Sequence, residues 1–275
     1  MEWQSRRPQN APVPLPPHVP MVRLAAFAPV ASRSLLLFGC PAELVLVPGR
    51  KARGDTADAA RPAFRRSPAP RIVAEEALWR GEGFVITPNR FPFGRGQQLL
   101  WPEAGGREPD ATFWLATNTW ADAAGGSVLH NTVGAAASIA RAHVHLLAER
   151  LPFLAGLAEA PVGSDLITVP LGATLVRKLT PFCLLGVRGS PAARAAGLAA
   201  LAEARLTAAC NVVVQDGTAW LFPRREETPA PHFPQALGAA EVWGRWCYVD
   251  ERDFAAATAS DLEQALVRAG MPVID

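Results

Sequence analysis

Short apolar runs bounded by glycine, proline and asparagine dominate this chain, and long helical periods are few. Runs at 34–38 and 43–47 flank Gly39-Cys40-Pro41 and predict two strands joined by a turn. Strand signals return at 83–87 and 98–101, with the structured turn Pro88-Asn89-Arg90-Phe91-Pro92-Phe93-Gly94-Arg95-Gly96 between them. Asp110 can cap a helix reaching about 124, in which Phe113, Leu115, Ala116 and Trp120 supply apolar positions and Gly125-Gly126 the stop. A strand at 128–131 leads into the small-residue loop Gly134-Ala135-Ala136-Ala137-Ser138, and another strand follows it. In the second half, 166–169 and 182–187 predict strands, and Ser190-Pro191 opens a helix to about 209 with a serine cap and proline at its first position. A hairpin over 211–222 turns at Asp216-Gly217, and a strand at 242–249 and a helix at 260–269 close the pattern. Strands that pair mostly as hairpins, with a few helices, predict an α+β fold and not a doubly wound sheet.

Composition narrows the class. With 275 residues, 49% of them hydrophobic, the chain can bury a sizeable core and is not disordered. The net charge is +2, Lys51 and Lys178 are its lysines, and no long basic run alternates with aromatics, so a nucleic-acid polymer is a poor partner. Between 50 and 71 lie Arg50, Lys51, Arg53, Arg61, Arg65, Arg66 and Arg71 with little apolar periodicity, which fits a solvated loop or a phosphate clamp. Cys40, Cys183, Cys210 and Cys247 form no C-x-x-C pair and read as reduced core residues. Residues 1–20 hold Glu2, Arg6, Arg7 and six prolines, unlike the apolar core of a signal peptide. The apolar stretch 21–39 is broken by Arg23 and Arg33, so no membrane span is expected and the location expected is cytoplasmic.

The candidate chemistry lies in Ser138-Ile139-Ala140-Arg141-Ala142-His143-Val144-His145-Leu146-Leu147, which holds two of the five histidines on alternate residues. In an extended strand alternate side chains share a face about 6.5–7 Å apart, so His143 and His145 would address one bound group. Imidazole is mostly unprotonated near neutrality and can attack phosphorus to give a phosphoramidate. A hydroxyl, a second imidazole and the backbone N–H groups of a small-residue loop can then hold the phosphoryl oxygens without lysine. Two other readings stay open on these residues alone: ordinary strand histidines, and a zinc site formed with His130.

The same segment resembles the histidine triad superfamily, and within it the galactose-1-phosphate uridylyltransferase-like branch that includes GDP-L-galactose phosphorylases and diadenosine tetraphosphate phosphorylases. The superfamily pattern is His-φ-His-φ-His-φ-φ, with φ apolar and the middle histidine taking the nucleotidyl group. Arg141-Ala142-His143-Val144-His145-Leu146-Leu147 matches it with arginine first. In the transferase-like branch a serine stands five residues before the nucleophile, as Ser138 does before His143. The resemblance thus implies His143 as nucleophile and His145 as donor to phosphate oxygens. A slid register would make His145 the nucleophile, put Leu147 third and lose the serine spacing. Residues 89–102 resemble the strand-turn-strand lining the nucleoside pocket, which implies Asn89 as a ribose or phosphate contact, with Gln97 where a histidine is common. Asn131 and Gly134 resemble, with one extra residue between them, an Asn-x-Gly stretch before the active-site loop. Residues 211–225, with Arg224, and 238–244 resemble C-terminal segments of the phosphorylases, which implies Arg224 as a substrate phosphate contact, with a surface charge cluster beside Glu226 and Glu227 as the equal alternative.

Departures bear on function. Arg141 replaces a histidine that helps orient the nucleophile in relatives, so either orientation would come from Asn131 or a backbone carbonyl, or the activity is altered; Arg141 could instead bind an anionic substrate group. The metal-binding cysteines and histidines of some uridylyltransferases have no counterpart. The resemblance implies a histidine triad-like antiparallel sheet with flanking helices in two packed halves: a lead-in at 1–33, a catalytic half at 34–160 and a second half at 161–275 without its own His pair. It implies a nucleotidyltransferase or phosphorylase acting on an NDP-sugar or dinucleotide, with inorganic phosphate or a phosphorylated acceptor as the second partner. No cofactor is required, although a divalent metal could accompany the substrate diphosphate. A nucleotide-binding accessory protein without turnover and a His-based metal-dependent hydrolase are the alternatives.

Overall fold

The computed structural model describes residues 26–50, 68–163, 170–204 and 206–273. The expected strand at 166–169, most of the proline-rich lead-in and most of the arginine-rich segment lie outside them. Helices α1 (Ala69–Glu75), α2 (Ala111–Ala124), α3 (Pro152–Gly156), α4 (Pro191–Glu203), α5 (Ala239–Trp243), α6 (Glu251–Ala256) and α7 (Ala259–Ala269) surround two sheets. The smaller sheet joins the hairpin of β1 (Ala31–Leu37) and β2 (Cys40–Leu46) to β13 (Arg245–Tyr248), which runs parallel to β2.

The larger sheet has ten strands, all paired antiparallel. Across it lie β3 (Trp79–Gly81), β4 (Phe84–Pro88), β5 (Gln98–Pro102), β7 (Val144–Leu147) and β6 (Ser127–Asn131). Then follow β11 (Cys210–Gln215), β12 (Thr218–Pro223), β10 (Leu185–Arg188), β9 (Thr174–Lys178) and β8 (Glu159–Pro161). The order carries an internal repeat. Each half is a three-strand meander, a helix and a hairpin that folds back beside the third strand, and the halves join where β6 pairs with β11, Leu129 opposite Val213.

Alternation of side chains assigns the two faces. Val128, Val144, Leu146, Leu100, Val212 and Val214 are buried with Phe113, Trp114, Leu198 and Leu201 of α2 and α4. The other face meets the small sheet, α5 and α7 in the second half and α1 in the first. In the second half this face is filled: β12 occupies the place of β7 in the repeat and buries Trp220 and Phe222 there. His145 of β7 and His143 just before it therefore have no counterpart across the repeat.

The helix signals at Asp110 and Ser190 work as capping chemistry requires. Asp110 accepts from Phe113 N at 2.8 Å and Gly125 closes α2 at φ 59°, while Ser190 accepts from Ala193 N at 3.2 Å with Pro191 following. Two expectations need correction. The helix from 190 stops at Glu203 and not 209, because Leu206, the next large apolar residue after the buried Leu201, is exposed and Thr207 bonds Ala209 and Arg224 to turn the chain into β11. The strand expected over 242–249 begins only at Arg245: Val242 and Trp243 complete α5, whose Gly238 N–H is capped by Glu241, and Gly244 at φ 109° ends it. A glycine N-cap offers no side-chain signal in sequence. Among the described residues no helix is long and apolar enough to cross a membrane.

Candidate active site

The site lies where β7 runs between β5 and β6. Leu99 and Leu129 stand opposite His145, and continuing the β5 register brings Trp101 opposite residue 143. The indole of Trp101 stacks on the His143 ring, centroids 4.6 Å apart and planes 25° apart, and its Nε1 donates to Thr87 Oγ1 at 2.9 Å. His143 is 5% exposed and His145 half-buried, with 5.6 Å between their ring centroids. The rings of Phe93 and His145 meet at an interplanar angle of 61°, centroids 5.2 Å apart.

One hydrogen bond defines what His143 can do. Its Nδ1 lies 2.7 Å from the carbonyl oxygen of Arg141, which can only accept, so in the neutral ring Nδ1 carries the proton and Nε2 the lone pair. Residue 141 thus meets His143 through its backbone carbonyl. The Arg141 guanidinium turns elsewhere and donates to the carbonyls of Pro102 at 2.7 Å and Glu103 at 3.1 Å; burial lowers its pKa.

His130 lies on the opposite face of the sheet, edge-on to Trp114 at 5.4 Å, and its Nδ1 donates to the His143 carbonyl at 2.8 Å. It does not join His143 and His145 in one ligand set, and no cluster of three or more His, Cys, Asp or Glu suited to a metal occurs among the described residues. Burial, with the nearby His143 adding to it against the backbone hydrogen bond, pulls the pKa of His130 down to about 4. The unfolded imidazole titrates higher, so this group's contribution to stability is complete above pH 6.5 and is lost as the pH falls towards 4. The loss is on the order of 3 kcal/mol. Thermal melts between pH 7 and 4 should show this slope, and His130→Gln, which retains a donor, should flatten it.

The turn from Asn89 to Gln97 is held from three sides. Asn89 Oδ1 accepts from Phe91 N at 3.1 Å, and the buried Arg50 donates to Phe91 O at 2.6 Å while stacking over Phe93. Arg245 donates to Phe93 O at 3.0 Å, and Glu149 accepts from Arg95 N at 2.9 Å. Gln97 is buried within the turn and bridges Phe93 N at 2.8 Å and His145 Nδ1 at 2.7 Å. From the arginine-rich segment, Arg71 pairs with Glu75 on the surface of α1.

A second network shapes the loop before β7. Asn131 Oδ1 accepts from Asn211 Nδ2 at 2.8 Å and Ala239 N at 2.7 Å; Asn211 also donates to Ala135 O at 2.8 Å, and Glu227 accepts from Ala136 N at 2.9 Å. Gly134 at φ 87° permits the turn. Arg224, expected at the substrate, is buried and directs its guanidinium to Asn211 Oδ1 and the carbonyls of Glu226, Glu227 and Leu237; burial takes its pKa down to about 10. Ser138 lies exposed at the end of the loop.

The structure therefore brings His143, His145 and Gln97 together. Asn131, Gly134 and Arg224 support the loop, Asn89 shapes the turn, and the Arg141 side chain points to the β5–α2 connection. Sequence reasoning missed Trp101, Thr87, Phe93 and Glu149. The usable signal for Trp101 was strand pairing, since setting 98–101 against the histidine run brings it to residue 143.

Fold and site together define an α+β protein with two histidines, His145 on an inner strand of an antiparallel sheet and His143 just before it. No family model and no curated protein matches the chain. Among solved structures it is similar to the yeast Ap4A phosphorylase Apa2. In its complex with Ap4A, Apa2 aligns over 90% of this chain and 92% of its own at 13% identity and a TM-score of 0.66. In its complex with AMP it aligns over 88% of each chain at 15% identity and a TM-score of 0.64.

Proposed function

We propose that this chain is a nucleotidyltransferase or phosphorylase acting on an NDP-sugar or dinucleotide through a covalent nucleotidyl-histidine intermediate. The observation that carries the reading is the bond from His143 Nδ1 to the Arg141 carbonyl, which assigns the lone pair to Nε2. That nitrogen forms an N–P bond to the α-phosphorus as the P–O bond to the departing sugar phosphate or nucleoside polyphosphate breaks. An oxygen of inorganic phosphate, of another phosphorylated acceptor or of water then attacks the same phosphorus, and the N–P bond breaks. His145 is a donor to the phosphoryl oxygens, whereas the N–H groups of Ala135, Ala136 and Ala137 in the preceding loop are already taken by Thr132 O and Glu227. Trp101 lies flat against the ring that gains positive charge on attack, which favours the adduct. The reading needs no cofactor. A divalent ion accompanying the substrate diphosphate would arrive as part of the substrate.

The fold likeness to a dinucleotide phosphorylase over most of both chains supports this reading. The test is incubation of the full chain with a panel of NDP-sugars and dinucleotides, followed by intact-mass measurement and assay of phosphate-dependent turnover. A mass increase of one nucleoside monophosphate is expected. Ligand-dependent thermal stabilisation with neither adduct nor turnover would make the protein a nucleotide binder instead.

Arg141→Ala preserves the carbonyl that His143 uses. Adduct formation should stay within about fivefold of wild type, whereas a loss of roughly 100-fold would place the guanidinium on the substrate.

A further inference from the structure

We infer that Gln97 is a positioning residue that holds His145 in the tautomer opposite to that of His143, so that one strand offers a ring lone pair and a ring N–H side by side. The argument starts from a backbone group. The N–H of Phe93 can only donate, and Gln97 Oε1 lies 2.8 Å from it, so the amide oxygen must face Phe93. The amide nitrogen then faces His145 Nδ1 at 2.7 Å. An NH₂ group can only donate, so Nδ1 accepts, and the neutral ring carries its proton on Nε2. Reversing the amide would oppose two donors at Phe93. At 1% exposure Gln97 has no solvent to take up the mismatch.

His143 is arranged the other way, with Nδ1 donating to a carbonyl. The two rings, 5.6 Å apart, are thus distinguished by their partners and not by their own chemistry: a carbonyl makes one a nucleophile, a carboxamide makes the other a donor. A donor held in this form suits an acceptor-only anion such as a phosphoryl oxygen, and a ring with its proton on Nε2 has no lone pair there for attack. This favours the register with His143 as nucleophile. The use made of the tautomers rests on the nucleotidyl-transfer reading; the tautomers themselves do not.

Among the described residues, charged and titratable groups approach His145 from its own strand and from the turn. His143 neighbours it on the strand. From the turn side, Arg50 stacks over Phe93, and Arg245 reaches Phe93 O while paired with Glu149. Replacing Gln97 by glutamate keeps the shape and the acceptor for Phe93 N, but it presents a carboxylate to Nδ1 and draws the proton there.

The experiment uses full-length protein labelled with nitrogen-15 and the two-bond proton–nitrogen spectra of its histidine rings at neutral pH. His143 should appear as the Nδ1–H form and His145 as the Nε2–H form. In Gln97→Glu the His145 pattern should change to Nδ1–H or doubly protonated. Adduct formation is then compared at about pH 9, where an imidazole beside a carboxylate is neutral. Gln97→Glu should be slowed by about 100-fold and Gln97→Met by about 10-fold, the loss of one oriented donor being the larger effect. A merely structural role predicts the reverse order, since methionine loses both hydrogen bonds and glutamate keeps the one to Phe93. A wild-type His145 with its proton on Nδ1, or a Gln97→Glu variant at least as fast as Gln97→Met at pH 9, would overturn the assignment. Absence of adduct in the wild type would instead refute the nucleotidyl reading and leave the spectra to decide the tautomers.

Discussion

Replacing His143 by alanine or glutamine is expected to remove the nucleotidyl adduct and lower turnover by about 10⁴-fold or more, because no other group takes over a bond to phosphorus. The two substitutions separate chemistry from packing. Alanine leaves a void against Trp101 and should cost about 1–3 kcal/mol of stability, whereas glutamine fills most of the space and can still reach the Arg141 carbonyl. Both should lose the adduct equally. His145→Asn makes the contrast: with His143 as nucleophile, it should slow adduct formation by about 10²–10³-fold without abolishing it, as expected for loss of one donor to a charged oxygen. Intact-mass time courses on the three variants decide the matter. An adduct that persists in both His143 variants and vanishes in His145→Asn would reverse the two roles.

Much of the first half was legible from local signals. Asp110 with Gly125, the alternate histidines, and the hydrophobic strands on each side of the 88–96 turn each act over a few residues, and each takes the form that its chemistry requires. What local signals did not show depends on contacts distant in sequence. Two packed halves, the second without its own His pair, were an expectation from the resemblance alone, because β12 carries Trp220 and Phe222 at the place where the first half carries imidazoles. Arg224 looked like a phosphate contact beside Glu226 and Glu227, but β12 delivers it to Asn211 and Leu237 in the interior. Gln97 and Arg141 both depart from the pattern that the sequence resembles, and each is hydrogen-bonded to one of the two histidines, Gln97 through its side chain and Arg141 through its carbonyl. A carboxamide can orient a neighbouring imidazole, and a backbone carbonyl is independent of the side chain that replaced the first histidine.

The largest stability effect should come from Arg245→Met. The Arg245 guanidinium reaches Glu43 at 2.7 Å, Glu149 at 2.7 Å and the Phe93 carbonyl at 3.0 Å, and it lies over the rings of Trp243 and Phe27. It thereby ties β13 and β2 to the end of β7 and to the turn that carries Phe93 and Gln97. Burial works against its charge, but the carboxylates of Glu149 and Glu43 outweigh that and raise its pKa. Methionine fits the apolar surroundings and strands two carboxylates that are each still partly exposed, so the expected loss is about 3 kcal/mol, at the lower end for a buried ion pair. Activity should fall by about 10²-fold in the folded protein, since the turn that sets the His145 ring loses an anchor and small misplacements are costly to phosphoryl transfer. Combining Arg245→Met with Glu43→Gln and Glu149→Gln removes the stranded charges. Stability should then recover by at least half while activity stays low, because the Phe93 carbonyl still lacks its donor. Thermal denaturation with adduct kinetics on the single and triple variants checks this. Full recovery of both in the triple variant would show that Arg245 serves only to balance charge and that the turn holds its shape without it.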